Sequence, residues 1–150
     1  MARWTEFERA SPDMAAAGKQ LFTQYGVGLG FLATIRPDGG PRLHPMCPVF
    51  AEGGLYAFIV PSPKQRDLAR DGRYAMHAFA PEDVDDEFCV MGRAHDVQAG
   101  SLRDGLAAGY HGVIPDGSAL FEFDIGRALL SRYRHRGDWP PAYTVWKAAP

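Results

Sequence analysis

The spacing of apolar residues along the chain changes once, and the change separates a helical start from a β-rich remainder. Between Ser11-Pro12, a typical helix start, and Gly26, a typical stop, apolar side chains recur every three or four residues. This stripe predicts a helix over about residues 12–25, and a shorter one over 4–9 is compatible with the pattern. After Gly26 the helical period is lost, and short β-rich runs follow.

The first three β-rich runs predict a meander joined by tight turns. The runs are residues 30–35, 42–50 and 55–60, and the turns are Pro37-Asp38-Gly39 and Gly53-Gly54. The runs are almost continuously apolar instead of alternating with polar residues. Strands with two apolar faces need cover on both faces. We therefore expect a closed barrel whose outside is covered by helices or by a second subunit.

The second half of the chain continues with longer strands and one more helix. Gly92 interrupts a strand pattern, which predicts a bulge or a close backbone approach. Ser101 and Asp104 have the spacing of a capping box that opens a helix, and Gly112 can end it. The tail, residues 137–150, places two tryptophans among prolines and is expected to be irregular. The predicted strands here are residues 73–79, 87–97, 119–125 and 129–135.

The order of these elements predicts one mostly β domain with flanking helices over residues 1–150. About six strands in a chain of 150 residues suit a small antiparallel barrel better than an open sheet.

Composition narrows the class of protein. Apolar residues make up 46% of the chain and charged residues 23%, as in soluble globular proteins. The net charge of −2 argues against binding to nucleic acid, so the basic run Arg132–Arg136 is interpreted as a solvated strand face. No apolar run approaches the ~20 residues of a membrane span. The first residues lack the apolar core of a signal peptide, and Cys47 and Cys89 do not form a CxxC pair. A cytoplasmic protein without membrane contact is expected.

The segment from Val60 to Leu68 joins a strand to a short helix with clear start signals. Ser62 is a good N-cap, Pro63 suits the first helical position, and Gln65 completes a capping box. Gly72 suits the position after the helix, which predicts a helix over residues 63–71.

The charges on this helix predict an anion site, with a solvated surface helix as the alternative. Lys64 and Arg66 lie in the first turn, where the helix dipole is already positive. A cation there becomes favourable when an anion binds to it, to the Ser62 hydroxyl and to the free N–H groups. Arg42, on the second predicted strand, can reach the same anion if the strands are neighbours.

The second strand itself is interrupted by Pro45 and Pro48, which cannot donate hydrogen bonds to a neighbour. Backbone groups around His44 to Met46 are then free for a ligand. The alternative is a strand end or bulge without function.

Other chemistries have less support in the residues. A metal site at His44 and Cys47 lacks a further ligand pair. A nucleophile at Ser62 or Cys47 lacks the nucleophile-elbow motif. No acid and base pair is identifiable, which fits an enzyme whose organic cofactor performs the reaction.

Four consecutive segments together resemble one known family. Phe31–Met46, Gly54–Val60, Ser62–Leu68 and Asp71–His77 resemble the pyridoxamine 5′-phosphate oxidase-like, FMN-binding split-barrel family. The resemblance covers about residues 30–94. It implies a six-stranded antiparallel Greek-key split barrel that forms a homodimer and binds flavin between the subunits.

The resemblance also implies a set of cofactor-binding residues. In this family an arginine after the first hairpin turn and a Ser-x-Lys segment hold the cofactor phosphate, and the second strand lies along the isoalloxazine ring. The residues at these positions are Arg42, Ser62 and Lys64 at the phosphate, the backbone of His44, Pro45 and Met46 along the ring, and Ile59 and Val60 close to it.

Three functional hypotheses follow. The first is a homodimeric FMN-dependent oxidoreductase that acts on a small molecule, with a pocket built in part by the partner's C-terminal aromatic residues. The second uses the deazaflavin F420 on the same barrel. The third is a non-catalytic flavin- or haem-binding module with His44 or His77 as the haem ligand. The tail does not reproduce the family's arginine-containing end that binds the substrate phosphate, so the substrate stays open.

Overall fold

The computed structural model describes all 150 residues, as four helices and eight strands. The helices are α1 Trp4–Ala10, α2 Pro12–Thr23, α3 Pro63–Arg70 and α4 Ser101–Ala108. The strands are β1 Gly30–Ile35, β2 Pro41–Met46, β3 Val49–Ala51, β4 Gly54–Ile59, β5 Arg73–Ala78, β6 Glu87–Asp96, β7 Ala119–Arg132 and β8 Ala142–Lys147.

All eight strands form one antiparallel sheet that curls into an incomplete barrel. The strand order is β2-β1-β5-β6-β7-β4-β3, and β8 pairs with β7 beside this path. Strands β2 and β3 stand at opposite ends of the order, yet only Cys47 and Pro48 separate them along the chain. Two residues span at most about 10 Å, so the two edges must approach each other. The prediction of a mostly β antiparallel split barrel with flanking helices is confirmed in this form.

The number of strands is eight instead of the predicted six. The expected strand 42–50 is divided at Cys47-Pro48, because Pro48 has no N–H for a ladder. The tail, predicted to be irregular over 137–150, contains the strand β8 at Ala142–Lys147. Proline-rich flanks conceal this strand in the sequence. Its Trp146 contacts Phe7 of α1, with ring centroids 4.9 Å apart.

Residues 119–125 and 129–135, predicted as two strands, belong largely to the single strand β7. Its pairing with β6 shifts between Met91 and Gly92, where Gly126 is the additional residue on β7. A Cβ atom on Gly92 would lie 1.9 Å from the Asp124 carbonyl oxygen, so no other residue fits there. The bulge expected at Gly92 is confirmed. It reverses the alternation, so both Ile125 and Ala128 are buried in the core.

The core fills the curled sheet and is closed by α1 and α2. Its centre is aromatic: Trp4 and Phe7 of α1 lie with Phe88 of β6, and Phe22 of α2 packs edge-on against the same ring at 5.7 Å between centroids. Burial of such side chains contributes about 1.5–3 kcal/mol each. The two N-terminal helices are therefore part of the barrel core.

The helix boundaries show which of the predicted start and stop signals are used in the structure. Helix α2 starts at the predicted proline and ends at Thr23, two residues early. Helix α3 has Ser62 as its N-cap, as predicted. Helix α4 is capped by Gly100 without a side-chain hydrogen bond, so the capping box predicted at Ser101 is wrong. The helix also ends at Ala108, before Gly112.

The outer face of the sheet is covered on one side only. Leu102 and Leu106 of α4 pack over β4 and the first half of β7. The remaining outer face, on β2, β1, β5 and the second half of β7 with β8, has no covering element. Its exposed apolar side chains include Phe31, Leu43, Tyr143 and Val145.

Candidate functional site

A buried carboxylate organises the predicted anion-binding end of the barrel. Asp67, on α3, is only 2% exposed. It accepts hydrogen bonds from Thr34 Oγ1 at 3.1 Å, from Arg42 Nε at 2.6 Å and from Arg70 Nη1 at 3.2 Å. Arg70 also donates to the Ile35 carbonyl oxygen. The carboxylate therefore fixes β1, β2 and α3 to one another.

The environment of Asp67 keeps it ionised. Burial acts to raise its pKa, but the hydrogen bonds from Arg42, Thr34 and Arg70 together outweigh burial, and the pKa lies below its ordinary value. A buried carboxylate with charged donors on several sides is costly to disturb.

The cations around Asp67 exceed it in number. Arg42 and Arg70 both pair with this one carboxylate, and Lys64, which lies near His44, makes no ion pair or hydrogen bond within the chain. Arg42 uses only Nε, so its two terminal nitrogens also have no partner in the chain. Partial burial lowers the pKa of Lys64. A desolvated ammonium without a protein partner and a free guanidinium edge, both near His44, favour an anionic ligand.

His44 lies at the same place. Residues Arg42 and His44 pair with Thr34 and Leu32 across β1 and β2, so these side chains share the inner face of the sheet. Burial, then the charges of Lys64 and Arg42, lower the pKa of His44, and Asp67 opposes this effect. Its Nε2 atom is buried without a hydrogen-bond partner. The group of Thr34, Arg42, His44, Lys64, Asp67 and Arg70 is called the Lys64 corner below.

Ser62 is occupied by the helix and its preceding strand. Its hydroxyl donates to the Val60 carbonyl oxygen at 2.8 Å and accepts from the Gln65 N–H at 3.4 Å. The reciprocal half of the capping box is absent, because the Gln65 side chain donates to the carbonyl oxygens of Ile59 and Gly117. Ser62 can still accept a further hydrogen bond, and its proton reaches a ligand only if the bond to Val60 breaks.

The other predicted cofactor residues do not all face the Lys64 corner. Met46 and Ile59 are buried in the core of the barrel. Pro45 pairs with Phe31 and lies with it on the exposed outer face. Val60 is exposed at the end of β4. The structure thus brings Arg42, His44 and Lys64 together, places Ser62 at the start of the same helix, and separates the side chains of Pro45, Met46 and Ile59 from them.

Sequence reasoning missed Asp67 and Thr34 at this place and considered Cys47 only for other roles. Asp67 resembles any surface charge on a short polar helix, and only its contacts show its burial. Thr34 sits in an apolar run and is fully buried against Asp67. Cys47 follows β2 directly, and its thiol influences the pKa of Lys64 after burial does.

These residues fit a phosphate-bearing cofactor. The fit rests on the unpaired Lys64 ammonium and the free edge of Arg42, which offer donors and positive charge near the unpartnered Nε2 of His44. A phosphate dianion would satisfy these donors with charge-assisted hydrogen bonds.

Two cavities open elsewhere on the surface. The larger, about 920 Å³, lies between β3, α4 and the residues after α2. The smaller, about 410 Å³, includes His77, Tyr133 and Trp139. The His77 Nδ1 atom lies 2.6 Å from the Ala78 carbonyl oxygen, which can only accept, so Nδ1 carries the proton and Nε2 has a free lone pair when the ring is neutral.

Two further findings concern membranes and metals. Each helix is too short or too polar to cross a membrane. The side chains of histidine, cysteine, aspartate and glutamate form no group of three or more with the arrangement of a metal site.

Comparison with known proteins shows the fold. No family model matches the chain, and no curated protein matches it in sequence. A haem-binding protein from Mycobacterium smegmatis is similar in structure, with a TM-score of 0.62, 18% identity and coverage of 86% of this chain. This chain spans 57% of that protein's length.

Two proteins from Clostridium acetobutylicum match over nearly their whole length. One, of the NimC/NimA family, has a TM-score of 0.59 and 15% identity and covers 95% of this chain and 94% of its own. The other, related to general stress protein 26 of the pyridoxine phosphate oxidase family, has a TM-score of 0.58 and 14% identity, with 95% of both chains covered. The chain therefore has the split-barrel fold that these three proteins represent.

Proposed function

We propose that the protein is a homodimeric, FMN-dependent oxidoreductase whose Lys64 corner holds the cofactor phosphate. The observation that carries the proposal is the unpaired, half-buried Lys64, which lies near His44 together with the Arg42 guanidinium and its free edge. FMN, when bound, supplies hydride transfer. The family resemblance in residues 30–94 and the split-barrel fold of the neighbours support the choice of flavin.

Within this proposal each residue of the Lys64 corner has a distinct task. Lys64 and the terminal nitrogens of Arg42 bind the phosphate. Asp67 is a positioning residue, because it holds Arg42 through Nε and leaves the other edge of the guanidinium for the ligand. The edge strand β2 offers backbone groups at His44 to Met46 to the flavin ring, since only β1 pairs with it.

The bare outer face of the sheet supports a second copy of the chain as the partner. Phe31 stacks on Phe79 with ring centroids 4.4 Å apart, and Leu43 next to them is 64% exposed. An apolar face of this kind at a sheet without cover is typical of an interface. Light scattering after gel filtration tests it: we expect a dimer for the wild type and a monomer for Leu43→Glu.

Val113→Glu is the matched control for the dimer, because Val113 is 90% exposed in a loop away from this face. We expect it to remain dimeric and to bind FMN. A monomeric wild type, or a dimer that Leu43→Glu leaves intact, contradicts the proposed interface.

The cofactor assignment is tested with Lys64→Ala and the matched control Arg66→Ala. Both change one cation in the first turn of α3, but Arg66 is exposed and makes no side-chain contact with Asp67. Titration of FMN, followed by flavin fluorescence, is expected to show affinity reduced about tenfold or more in Lys64→Ala and changed less than about twofold in Arg66→Ala. Equal affinities in the two variants would refute the assignment.

The double variant Lys64→Ala with Arg42→Ala is expected to lose flavin entirely. Because Arg42 also pairs with Asp67, its thermal melt must be measured beside the titration. The same titration with F420 separates the two flavin hypotheses, since the tighter ligand identifies the cofactor.

Haem is the second candidate, and His77 is the observation that favours it. Its Nδ1 bond to a backbone carbonyl is the arrangement that orients metal-ligating histidines. The free Nε2 belongs to a ring that lines the 410 Å³ cavity beside Tyr133 and Trp139. Haemin titration would give a Soret band that His77→Ala removes and His44→Ala retains. A band that depends on His44, or none at all, rejects this role for His77.

A further inference from the structure

The 920 Å³ cavity, called the α4 cavity below, has a composition that differs from the Lys64 corner. Phe50 of β3, Leu102 and Leu106 of α4, and Tyr110 after it form its apolar walls. The volume is in the range that holds a small organic molecule. None of the residues predicted for the cofactor lines it.

A glycine inside helix α4 has no structural reason to be there. Gly105 lies in the middle of the eight-residue helix and lines the cavity, and a Cβ atom added to it would meet nothing within 4 Å. A glycine inside a helix costs about 1 kcal/mol relative to alanine. Neither a close contact nor a positive φ explains it. What the missing side chain provides is open space on the cavity side of the helix.

The charges around the cavity exclude a buried ion as its occupant. The lining residues with ionic side chains, Lys19, Glu52 and His111, are all exposed at the rim. Lys19 already lies over the Phe50 ring, with Nζ 5.7 Å from the centroid. An ionic group deeper in the cavity would lose its hydration without gaining a partner.

One polar group inside the cavity can orient a ligand. The Tyr110 hydroxyl makes no hydrogen bond within the chain, while its ring packs against Phe58 with centroids 5.2 Å apart. An aromatic ligand can stack on such walls and exchange a hydrogen bond with the hydroxyl.

Cys47 connects the α4 cavity to the Lys64 corner. It lines the cavity and directly follows Met46 at the end of β2, the strand that carries Arg42 and His44. A molecule in the cavity would therefore lie beside a cofactor held at the corner.

We infer that the α4 cavity is the substrate site and that it takes an uncharged, planar aromatic molecule with one hydrogen-bonding oxygen. The assignment as substrate site rests on the proposed function. The absence of a charged side chain inside the cavity selects against phosphorylated or carboxylated rings.

A matched pair of probes tests the chemistry. 2-Naphthol and 2-naphthoate share their ring system and differ in charge, and ligand-observed NMR or calorimetry measures the affinity of the purified wild-type protein for each. We expect 2-naphthol to bind about tenfold or more tightly than 2-naphthoate. Equal binding, stronger binding of the anion, or no binding of 2-naphthol overturns the inference.

The location is tested with Gly105→Leu and the control Ala108→Leu on the same helix. Ala108 is exposed and does not line the cavity. Gly105→Leu is expected to weaken 2-naphthol binding about tenfold without lowering the melting temperature, because leucine favours the helix. Ala108→Leu is expected to leave binding unchanged.

If Gly105→Leu folds poorly, Tyr110→Phe replaces it, with binding weakened about threefold or more. Unchanged binding in the variant measured overturns the inference.

A competition experiment separates this inference from the proposed function. If 2-naphthol displaces FMN, the cavity belongs to the cofactor and the substrate assignment is overturned. If 2-naphthol binds in the cavity but FMN does not bind in the separate titration, the proposed function fails while the chemistry of the cavity stands.

Discussion

Two clusters of charged side chains lie at different places on the barrel. They contain similar residues, but only one of them leaves a cation without a partner. The Arg3 cluster consists of Arg3, Tyr56, His95, Glu122 and Asp124. Arg3 donates from Nε to Glu122 at 2.7 Å and from Nη2 to the Tyr56 hydroxyl at 2.8 Å, and His95 lies 3.4 Å from both carboxylates. Arg3, Glu122 and Asp124 each lie within ion-pair or hydrogen-bond distance of another side chain of the cluster, the contact of Asp124 being with His95.

The Lys64 corner, in contrast, leaves positive charge without a partner. Its single carboxylate accepts hydrogen bonds from three donors. The Lys64 ammonium has no acceptor within the chain. A structural ion network is expected to balance its charges, because an unpaired desolvated charge costs stability. The cation without a partner therefore distinguishes a ligand-binding site from a cluster that stabilises the fold.

The largest predicted effect is the loss of stability on replacing Asp67, at the centre of the Lys64 corner. Asp67→Asn removes the charge that Arg42 and Arg70 share and is expected to lower the free energy of unfolding by about 3 kcal/mol, since breaking a buried ion pair leaves its partners uncompensated. Urea denaturation measures it. Asp71→Asn is the control, because it removes a pair with the exposed Arg73 and is expected to cost clearly less. Equal losses would show that Asp67 has no special role.

A smaller effect distinguishes the two clusters by pH. The pKa of Asp67 is lowered, so its stabilisation is present above about pH 4 and is lost as the pH falls further. Burial, the largest influence, raises the pKa of Asp124, so protonation favours the folded state and this contribution grows as the pH falls towards about 4.

Denaturation midpoints between about pH 6 and pH 3 measure the opposite pH dependence of the contributions of Asp67 and Asp124 to stability. Asp67→Asn is expected to flatten the loss of stability at the acid end. Asp124→Asn is expected to become less stable relative to the wild type as the pH falls from 6 to 4. Identical profiles for the two variants would contradict the opposite signs.

The smallest predicted effect concerns the unpaired cation itself. Lys64→Met removes a desolvated charge with no protein partner, so the free energy of unfolding of the cofactor-free protein is expected to stay equal or rise by a few tenths of a kcal/mol. Inorganic phosphate at about 10 mM is expected to raise the melting temperature of the wild type by a degree or two, and this shift should vanish in Lys64→Met.

Arg3→Met sharpens this last comparison. It is expected to lower the melting temperature because Glu122 loses its closest partner, and to retain the phosphate shift. Chloride at equal ionic strength controls for screening. A phosphate shift that survives in Lys64→Met and disappears in Arg3→Met would reverse the roles of the two clusters.

The sequence predicted the elements best where a local signal acts alone. Ser62 with Pro63 starts α3, because an N-cap depends on neighbouring residues. Gly92 marks the bulge because a glycine inside a strand pattern is visible in the sequence, although the backbone it approaches, at Asp124, is distant. The strand β8 and the continuity of β7 depend on pairing with distant residues, and no local pattern reports such pairing.

The candidate site divides in the same way. Lys64 and Arg42 were found from their position beside a helix start and a turn. Asp67 was not found, because a carboxylate on a polar helix gives no local sign of burial. Its burial depends on Thr34 and Arg42, which β1 and β2 bring to it. The α4 cavity could not be predicted either, since it lies between elements that are far apart in the sequence.

Gly126, the additional residue of β7, lets one strand serve two different surfaces. Before it, the outward side chains lie beneath helix α4; beyond it, Leu129 and its neighbour Val145 turn to the bare face proposed for the second subunit. Deleting this one residue would restore an unbroken alternation, with Ala128 and Leu130 still opposite Val90 and Phe88 on the inner face, and would remove the bend at which the strand passes from one surface to the other. On this strand a single glycine thus marks the boundary between two parts of the outer face. One part is covered by α4, and the other is left for a second chain.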